Sequence, residues 1–412
     1  MAVMGDEIEF KGYEQDQGQL FPLHLSEALD VDDPAFFIND FVEGLELDAF
    51  EERYAATGER AYPPRMLLKL WLFGATEGVY SGREISRRLR WDLRFRYLAG
   101  GLVPDFRTIN RFRIRHRTDF AQVFRETVYT ARASGLAQLG RVTIDGTKIR
   151  ANTSRHKAMS HGRMDRAEAQ LEAEITEILV QLEAVNESED DTYGDGDGGG
   201  GLPAELQNRQ RRVEKLRAVR KQLEAERGET LKASSQKSFA DPDANMMMTG
   251  EGSLHYCYNA QVAASEDGVI VATGVTTSPL DVQQLVPMLE AIQATTRRKP
   301  GVVVADAGYL SEKNLEQLRQ KRQRCLVAVS GRKQAKWPRG RETQRMHRLL
   351  RLPWAKKIYR YRKTQGERPF AEIKQTMRFR RFATRGRANI RGEWDLVCAA
   401  ANALTLYRAA RA

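Results

Sequence analysis

Residues 301–309 read GVVVADAGY, and this stretch decides the fold class. Its first half is a continuous apolar run, which is typical of a strand buried on both faces of a parallel sheet. The strand is expected to end at Asp306, just before an Ala-Gly pair. Amphipathic helical patterns lie on either side, LDVQQLVPMLEAIQATT at 280–296 and SEKNLEQLRQKR at 311–322. A strand between two such helices predicts an α/β unit.

Further strands are predicted on both sides of this unit. They are RVTIDGTKI (141–149), LHYCYNAQVAAS (254–265), VIVATGVTT (269–277) and RCLVAVS (324–330). The first is a β-branched run that we expect to end at an Asp-Gly turn containing Asp145. Strands followed by alternating helices and strands predict an α/β domain with a mixed sheet.

An all-helical region is predicted for residues 24–135. Pro63 and Pro64 open an apolar helix, PPRMLLKLWLFGA, and Asp105 can cap a later one, FRTINRFRIRH. The capped helix carries arginines at i, i+4 and i+8 on one face, namely Arg107, Arg111 and Arg115. Helix, short turn and basic helix indicate a helix-turn-helix-like DNA-binding unit. A helical bundle with a solvated arginine face is the alternative.

About a hundred residues separate the first strand from the second, and most of them have helical patterns. AEAQLEAEITEILVQLEAV (167–185) and LQNRQRRVEKLRAVRKQLEAE (206–226) predict an antiparallel helical hairpin. Its acidic and glycine-rich tip, about residues 187–201, is expected to be disordered. The hairpin is an arm for dimerisation or DNA contact, or simply a solvent-exposed insertion.

The predicted organisation therefore has four parts. These are an N-terminal tail (1–23), the helical domain (24–135), the α/β domain (140–155 and 237–412) and the inserted hairpin (156–236).

Charge and composition favour a polyanionic partner. The chain has 66 Lys and Arg against 55 Asp and Glu, for a net charge of +11, and arginine-rich stretches fill 83–117 and 332–391. In the second stretch, Arg378, Arg380 and Arg381 alternate with Phe379 and Phe382, a pattern that suits contact with a phosphate backbone. A solvated loop is the alternative.

A cytoplasmic location is the expectation from the remaining composition. Hydrophobic residues make up 41% of the chain, no run of eighteen apolar residues occurs, and the first residues lack the basic and apolar segments of a signal peptide. The three cysteines, Cys257, Cys325 and Cys398, have no metal-ligand spacing and are expected to be reduced and mostly buried thiols.

Two aspartates are placed to share an edge of the sheet. Asp145 and Asp306 each end an apolar strand, and the carboxyl edge of an α/β sheet is where ligand groups gather. Helix or turn capping is the plain alternative for either one. Carboxylates that close repel unless a cation lies between them, so the pair implies Mg²⁺ or Mn²⁺. A third carboxylate would complete a two-metal site.

The third candidate carboxylate lies in YRYRKTQGERPFAEIKQTMRFRRF, residues 359–382. Gly366 precedes a helix that Pro369 can begin, and Glu367 and Lys374 are two helical turns apart, so both are expected to project the same way. Glu372 lies about 140° around that helix from Glu367 and is expected to face solvent.

The order of these motifs resembles the DDE transposases of bacterial insertion sequences. Tyr359-x-x-Arg362, Glu367 and Lys374 are similar to the signature of that family. Four residues separate Arg362 from Glu367, where many relatives in the wider superfamily have three. A three-residue separation would put Lys363 in the place of the arginine. The resemblance extends to VTIDGTKIRANTS, DPDANMMMTGEGSLHYCYNAQVA, VVVADAGY, FRRFATRGRANIRGEWDLVCAAANAL, MLLKLWLFGATEGVYSGREISRRL and PDFRTINRFR.

This resemblance implies an RNase H-like catalytic core in which Asp145, Asp306 and Glu367 bind two Mg²⁺ or Mn²⁺ ions. Tyr359, Arg362 and Lys374 would hold DNA near the ions. The implied function is a transposase that binds the terminal repeats of its element, cleaves DNA and transfers the freed strand to target DNA. A homodimer is expected in the working complex, associated with the nucleoid.

Two other functions are compatible with the sequence. One is a domesticated DNA-binding protein without catalysis, against which the presence of all three carboxylates argues. The other is a metal-dependent nuclease of the same fold that does not transfer strands.

Overall fold

The computed structural model describes residues 24–54, 61–153, 158–193, 204–329 and 340–411. The α-helices are α1 (Pro34–Glu43), α2 (Asp48–Glu51), α3 (Pro64–Thr76), α4 (Gly82–Arg88), α5 (Leu93–Leu98), α6 (Phe106–Arg115), α7 (Phe120–Ala133), α8 (His161–Tyr193), α9 (Ala204–Arg227), α10 (Leu285–Thr296), α11 (Glu312–Gln320), α12 (Arg341–Leu349), α13 (Pro353–Arg360), α14 (Arg362–Ala371) and α15 (Arg387–Ala409).

The strands are β1 (Arg141–Arg150), β2 (Ala158–Ser160), β3 (Gln236–Ser238), β4 (Asn245–Met248), β5 (Leu254–Ala264), β6 (Ile270–Thr276), β7 (Val302–Ala305) and β8 (Cys325–Val327). Short 3-10 turns occur at Leu25–Ala28, Gly228–Thr230 and Ala307–Tyr309, and a π-helical turn occurs at Glu372–Thr376.

The predicted α/β fold with a mixed sheet and an N-terminal helical region is confirmed. The main sheet has the order β4-β5-β1-β7-β8, with β6 also paired to β5. Strands β1, β7 and β8 are parallel, whereas β4, β5 and β6 are joined in antiparallel pairs. The parallel half follows the alternation of strands and helices in the sequence, because parallel strands need crossover connections.

The first strand is longer than the sequence indicates. It does not end at an Asp-Gly turn but continues to Arg150, because β5 pairs with it from Thr143 to Arg150 and bonds the backbone groups beyond Asp145. The parallel partner β7 does stop at Ala305, opposite Ile144. Asp145 therefore lies where parallel pairing ends, although it is inside a strand.

One continuous hydrophobic core joins the helical region to the α/β region. Helix α15 lies between them, packing against α3 and α7 on one side and β6 on the other. The fully buried Trp394 of α15 donates its indole N–H to the Gln261 carbonyl of β5, 3.1 Å away. Helix α15 thereby couples the two regions mechanically.

The predicted hairpin forms an arm made of α8 and α9. Strands β2 and β3 pair at its base, and a separate small cluster of buried apolar side chains lies between the helices, comprising Met164, Leu216, Val219 and Leu223. Residues 187–193 of the expected tip belong to the end of α8. The rest of that tip, and the predicted N-terminal tail, lie outside the described residues.

The remaining expectations from composition have direct counterparts in the structure. All three cysteines are free, with Cys257 and Cys398 buried and Cys325 partly buried. Among the helices that the structure describes, none is both long enough and apolar enough to cross a membrane.

Candidate active site

Two of the predicted carboxylates lie side by side at one edge of the sheet. Ile144 of β1 is paired in parallel with Ala305 of β7, so Asp145 and Asp306 are the next residues on neighbouring strands. Asp306 Oδ1 accepts a hydrogen bond from the Gly308 backbone N–H at 2.8 Å. Turn capping, the plain alternative, thus uses one oxygen of Asp306 and leaves the other available.

The local environment is unfavourable to a negative charge on Asp145. Burial, together with the nearby charges of Asp306 and Asp281, raises the pKa of Asp145 to about 6, against the lowering effects of the Gly146 backbone hydrogen bond and of Arg362. Its side chain is 17% exposed. A half-open, carboxylate-rich environment with one adjacent guanidinium suits a divalent cation, which would offset the excess negative charge.

Helix α14 lies directly against Asp145. A Cβ built on Gly366 would be 3.1 Å from Asp145 Oδ2, so the absence of a side chain there allows the close approach. Arg362 lies one helical turn earlier, and its Nη1 is 3.9 Å from Asp145 Oδ2. The Arg362 guanidinium carbon is in turn 6.0 Å from the centre of the Tyr359 ring. The structure therefore brings Tyr359 and Arg362 to the aspartates.

The course of the chain through this region differs from the predicted one. Helix α14 begins at Arg362, and Pro369 lies inside it rather than at its start. Pro369 has no N–H to donate to the preceding turn. Helix α14 ends at Ala371 and passes into the π-helical turn, where the Met377 N–H bonds to the Glu372 carbonyl at 2.9 Å.

Lys374 lies on this π-helical turn and reaches the same face of the sheet as Asp145. Its ammonium group donates to Thr147 Oγ1, two residues beyond Asp145 on β1. Burial lowers the pKa of Lys374 from its ordinary value. Tyr359, Arg362 and Lys374 thus all lie near Asp145.

The third carboxylate of the predicted trio, that of Glu367, does not lie with the two aspartates. Glu367 is exposed on α14, one residue after Gly366. Within the part of the chain that the structure describes, no three histidine, cysteine or acidic side chains are grouped so as to hold a metal ion. Glu372 was expected to face solvent. It instead forms an ion pair with Arg408 of α15 at 2.7 Å. That pairing directs it away from Asp145.

A fourth carboxylate, Asp281, lies beside the pair and was not among the predicted site residues. It precedes α10, in the connection after β6, and its charge acts on both Asp145 and Tyr309. The sequence pattern places Asp281 inside a helix that in the structure begins only at Leu285. Its position two residues after Pro279, a turn residue, was the available signal.

The predicted basic surfaces are solvent-facing. Arg107, Arg111 and Arg115 are exposed on α6, while Ile109 and Phe112 of the same helix are buried as expected. Arg115 stacks on the Tyr54 ring at 5.0 Å. Asp105 caps α6 as predicted, accepting from the Arg107 N–H at 2.8 Å.

The second arginine cluster is only partly as predicted. Arg378, Arg380 and Arg381 are exposed. Phe379 and Phe382, however, are fully buried and pack around Trp394, so they cannot contact nucleic acid. Alternation of arginine and phenylalanine here reflects a segment with one face in the core and the other in solvent.

Two regions of the chain match known families. Residues 23–115 match the family described as Transposase domain (DUF772), and residues 214–403 match the family described as Transposase DDE domain. Comparisons with curated proteins and with solved structures gave no significant match. The second family match contains Asp281, Asp306 and all of α14, while Asp145 precedes it.

Proposed function

Because the chain belongs to the DDE transposases of the insertion-sequence type, we propose that it cuts and joins DNA using Asp145, Asp306 and Glu367. The observation that carries the proposal is the parallel register that sets Asp145 beside Asp306, with α14 packed on Asp145. Carboxylate oxygens at the carboxyl edge of a sheet are suited to divalent metal binding.

Each residue of the site has a proposed role. Asp145 and Asp306 would hold two Mg²⁺ or Mn²⁺ ions, and Glu367 would join them when its side chain turns from solvent toward Asp145. When bound, the two ions would activate the attacking oxygen and stabilise the leaving oxygen. Arg362 and Lys374 would bind backbone phosphates, and Tyr359 would orient Arg362 by stacking.

We further propose that DNA follows the exposed arginines of α6 and of residues 378–381. Terminal-repeat DNA would be the specific partner, bound in the cytoplasm by two copies of the chain. Positive charge on these two segments would neutralise the phosphates of a bound duplex.

Cleavage of terminal-repeat DNA tests the proposed catalytic trio. The substrate is the inverted repeat that flanks the coding sequence in its host DNA. Asp145→Asn, Asp306→Asn and Glu367→Gln should each reduce Mg²⁺-dependent cleavage to background, because each removes an anionic ligand. Glu372→Gln is the matched control and should retain cleavage. Full activity in all three trio variants would refute the proposal.

Strand transfer needs a separate measurement, since hydrolysis alone would describe a nuclease. A pre-cleaved repeat with a free 3′-hydroxyl should be joined to target DNA by the wild-type protein. Cleavage without joining would restrict the function to that of a nuclease.

A further inference from the structure

The carboxylate of Asp281 is held inside a polar network below the candidate active site. Asn259 and Gln261 of β5 donate their side-chain amides to Asp281 Oδ1 at 2.6 and 2.8 Å, and Lys148 Nζ of β1 lies 3.2 Å from the same oxygen. Asn259 and Gln261 are fully buried. Three donors on one oxygen fix the orientation of this side chain.

Asp281 lies beside a glycine that follows each of the two proposed catalytic aspartates. A Cβ built on Gly146, next to Asp145, would be 3.0 Å from Asp281 Oδ1. A Cβ built on Gly308, two residues after Asp306, would be 3.0 Å from Asp306 Oδ1 and 3.5 Å from Asp281 Oδ2. The glycines at these positions leave the space that Asp281 occupies.

The same network extends to the turn that carries Asp306. Tyr309 is buried and donates its hydroxyl to Gln261 Oε1, while Asn314 Nδ2 bridges the carbonyls of Tyr309 and Val282 at 2.9 and 2.5 Å. Val282 is the neighbour of Asp281. The connection before α10 and the turn after β7 are therefore tied to each other and to β5.

We propose that Asp281 is a positioning residue that sets the separation of the Asp145 and Asp306 carboxylates for metal binding. This inference rests on the proposed function. A carboxylate that holds two ligand-bearing segments in place acts on metal affinity by orienting the ligands, and replacing residues of that kind typically weakens metal binding by about 10- to 100-fold. The test must distinguish this positioning role from direct binding of the metal ion by Asp281.

The test compares Asp281→Asn with the wild-type full-length protein in Mn²⁺ binding by calorimetry. We expect Asp281→Asn to weaken Mn²⁺ binding by about 10- to 100-fold. It should also raise the Mg²⁺ concentration that half-saturates cleavage. Asp267→Asn is the matched control, because Asp267 accepts one backbone hydrogen bond from Gln138 in a turn outside the site, and it should change neither quantity.

A second variant keeps the proposal testable if Asp281→Asn does not fold. Asn259→Ala removes one amide donor and leaves all the carboxylates in place, so it should weaken Mn²⁺ binding by a smaller factor. Unchanged Mn²⁺ affinity in folded Asp281→Asn, or in Asn259→Ala when the first is unfolded, overturns the proposal. Complete loss of Mn²⁺ binding in Asp281→Asn, equal to that in Asp145→Asn, would overturn it in favour of direct ligation.

The Asp145→Asn variant separates failure of this inference from failure of the proposed function. If Asp145→Asn binds Mn²⁺ like the wild type, the metal site itself is misassigned. If Asp145→Asn loses Mn²⁺ and Asp281→Asn does not, only the role of Asp281 is wrong.

Discussion

At the scale of single residues, Asp145 shows how a proposed catalytic group can oppose folding. Its pKa is raised to about 6 by burial first, and then by Asp306 and Asp281, from an ordinary 3.8. Between these pH values the folded protein retains a proton that the unfolded chain has lost. The stability that this proton confers is fully present below the unfolded pKa and is lost as the pH rises through about 6.

Asp145→Asn should therefore stabilise the metal-free protein while abolishing cleavage. At pH 7.5 with EDTA, we expect the free energy of unfolding to rise by about 1–3 kcal/mol, since the neutral amide avoids the cost of a buried charge. Near pH 4 the gain should largely disappear. Denaturant unfolding at the two pH values measures this, and a less stable variant at pH 7.5 would contradict it.

Residues near the site differ in how far sequence could predict them. Asp145 and Asp306 are predictable because each directly follows apolar residues of a strand, and the carboxyl ends of parallel strands share an edge. Asp281 was missed because the sequence pattern predicts that α10 begins about one turn earlier than it does, and so places Asp281 inside the helix. Its amide partners on β5 are about twenty residues away in sequence, so its role depends on tertiary contacts.

At the scale of helices and strands, some features follow from the local sequence pattern and others depend on tertiary contacts. The existence of α3, α6 and β7 follows from periodicity and capping, and the structure confirms these elements. The extension of β1 beyond Asp145 depends on β5, and the exposure of arginines beside Phe379 and Phe382 depends on a core supplied by α15. Neither partner is local in the chain.

Helix α6 yields a prediction about DNA binding. Arg107→Ala and Arg111→Ala should each weaken binding to terminal-repeat and unrelated duplexes by a similar factor, because phosphate contacts carry no sequence information. The logarithm of the DNA-binding constant falls linearly with the logarithm of the salt concentration, and each change should make this slope shallower by about 1. Fluorescence anisotropy across a salt series measures this.

The control for α6 is Arg298→Ala, an exposed arginine after α10 that lies outside the proposed DNA surfaces. Its salt slope should equal that of the wild type. An unchanged slope in both α6 variants would leave this helix as a solvated face of the bundle, which is the alternative that the sequence also allowed.

At the scale of the whole molecule, the arm is joined to the rest of the protein less extensively than the helical and α/β regions are joined to each other. The arm is held at its base by β2 and β3 and has a small apolar cluster of its own, whereas the helical and α/β regions share one core. Arg113 of α6 crosses between the shared regions. Its Nη1 donates to the Tyr80 carbonyl at 3.1 Å and lies 3.9 Å from Glu393 of α15. Glu393 also accepts from the Ala383 N–H at 2.8 Å.

Arg113→Ala should consequently destabilise both regions in one cooperative transition. Arg113 and Glu393 are almost fully buried, and leaving one buried charge unpaired typically costs about 3–5 kcal/mol. Arg111→Ala, two residues away on the exposed face of α6, should change the free energy of unfolding by less than about 0.5 kcal/mol. Calorimetry of both variants with EDTA measures the difference. Two separate transitions in Arg113→Ala would show that the helical region and the carboxylate-bearing sheet are not mechanically coupled through α15.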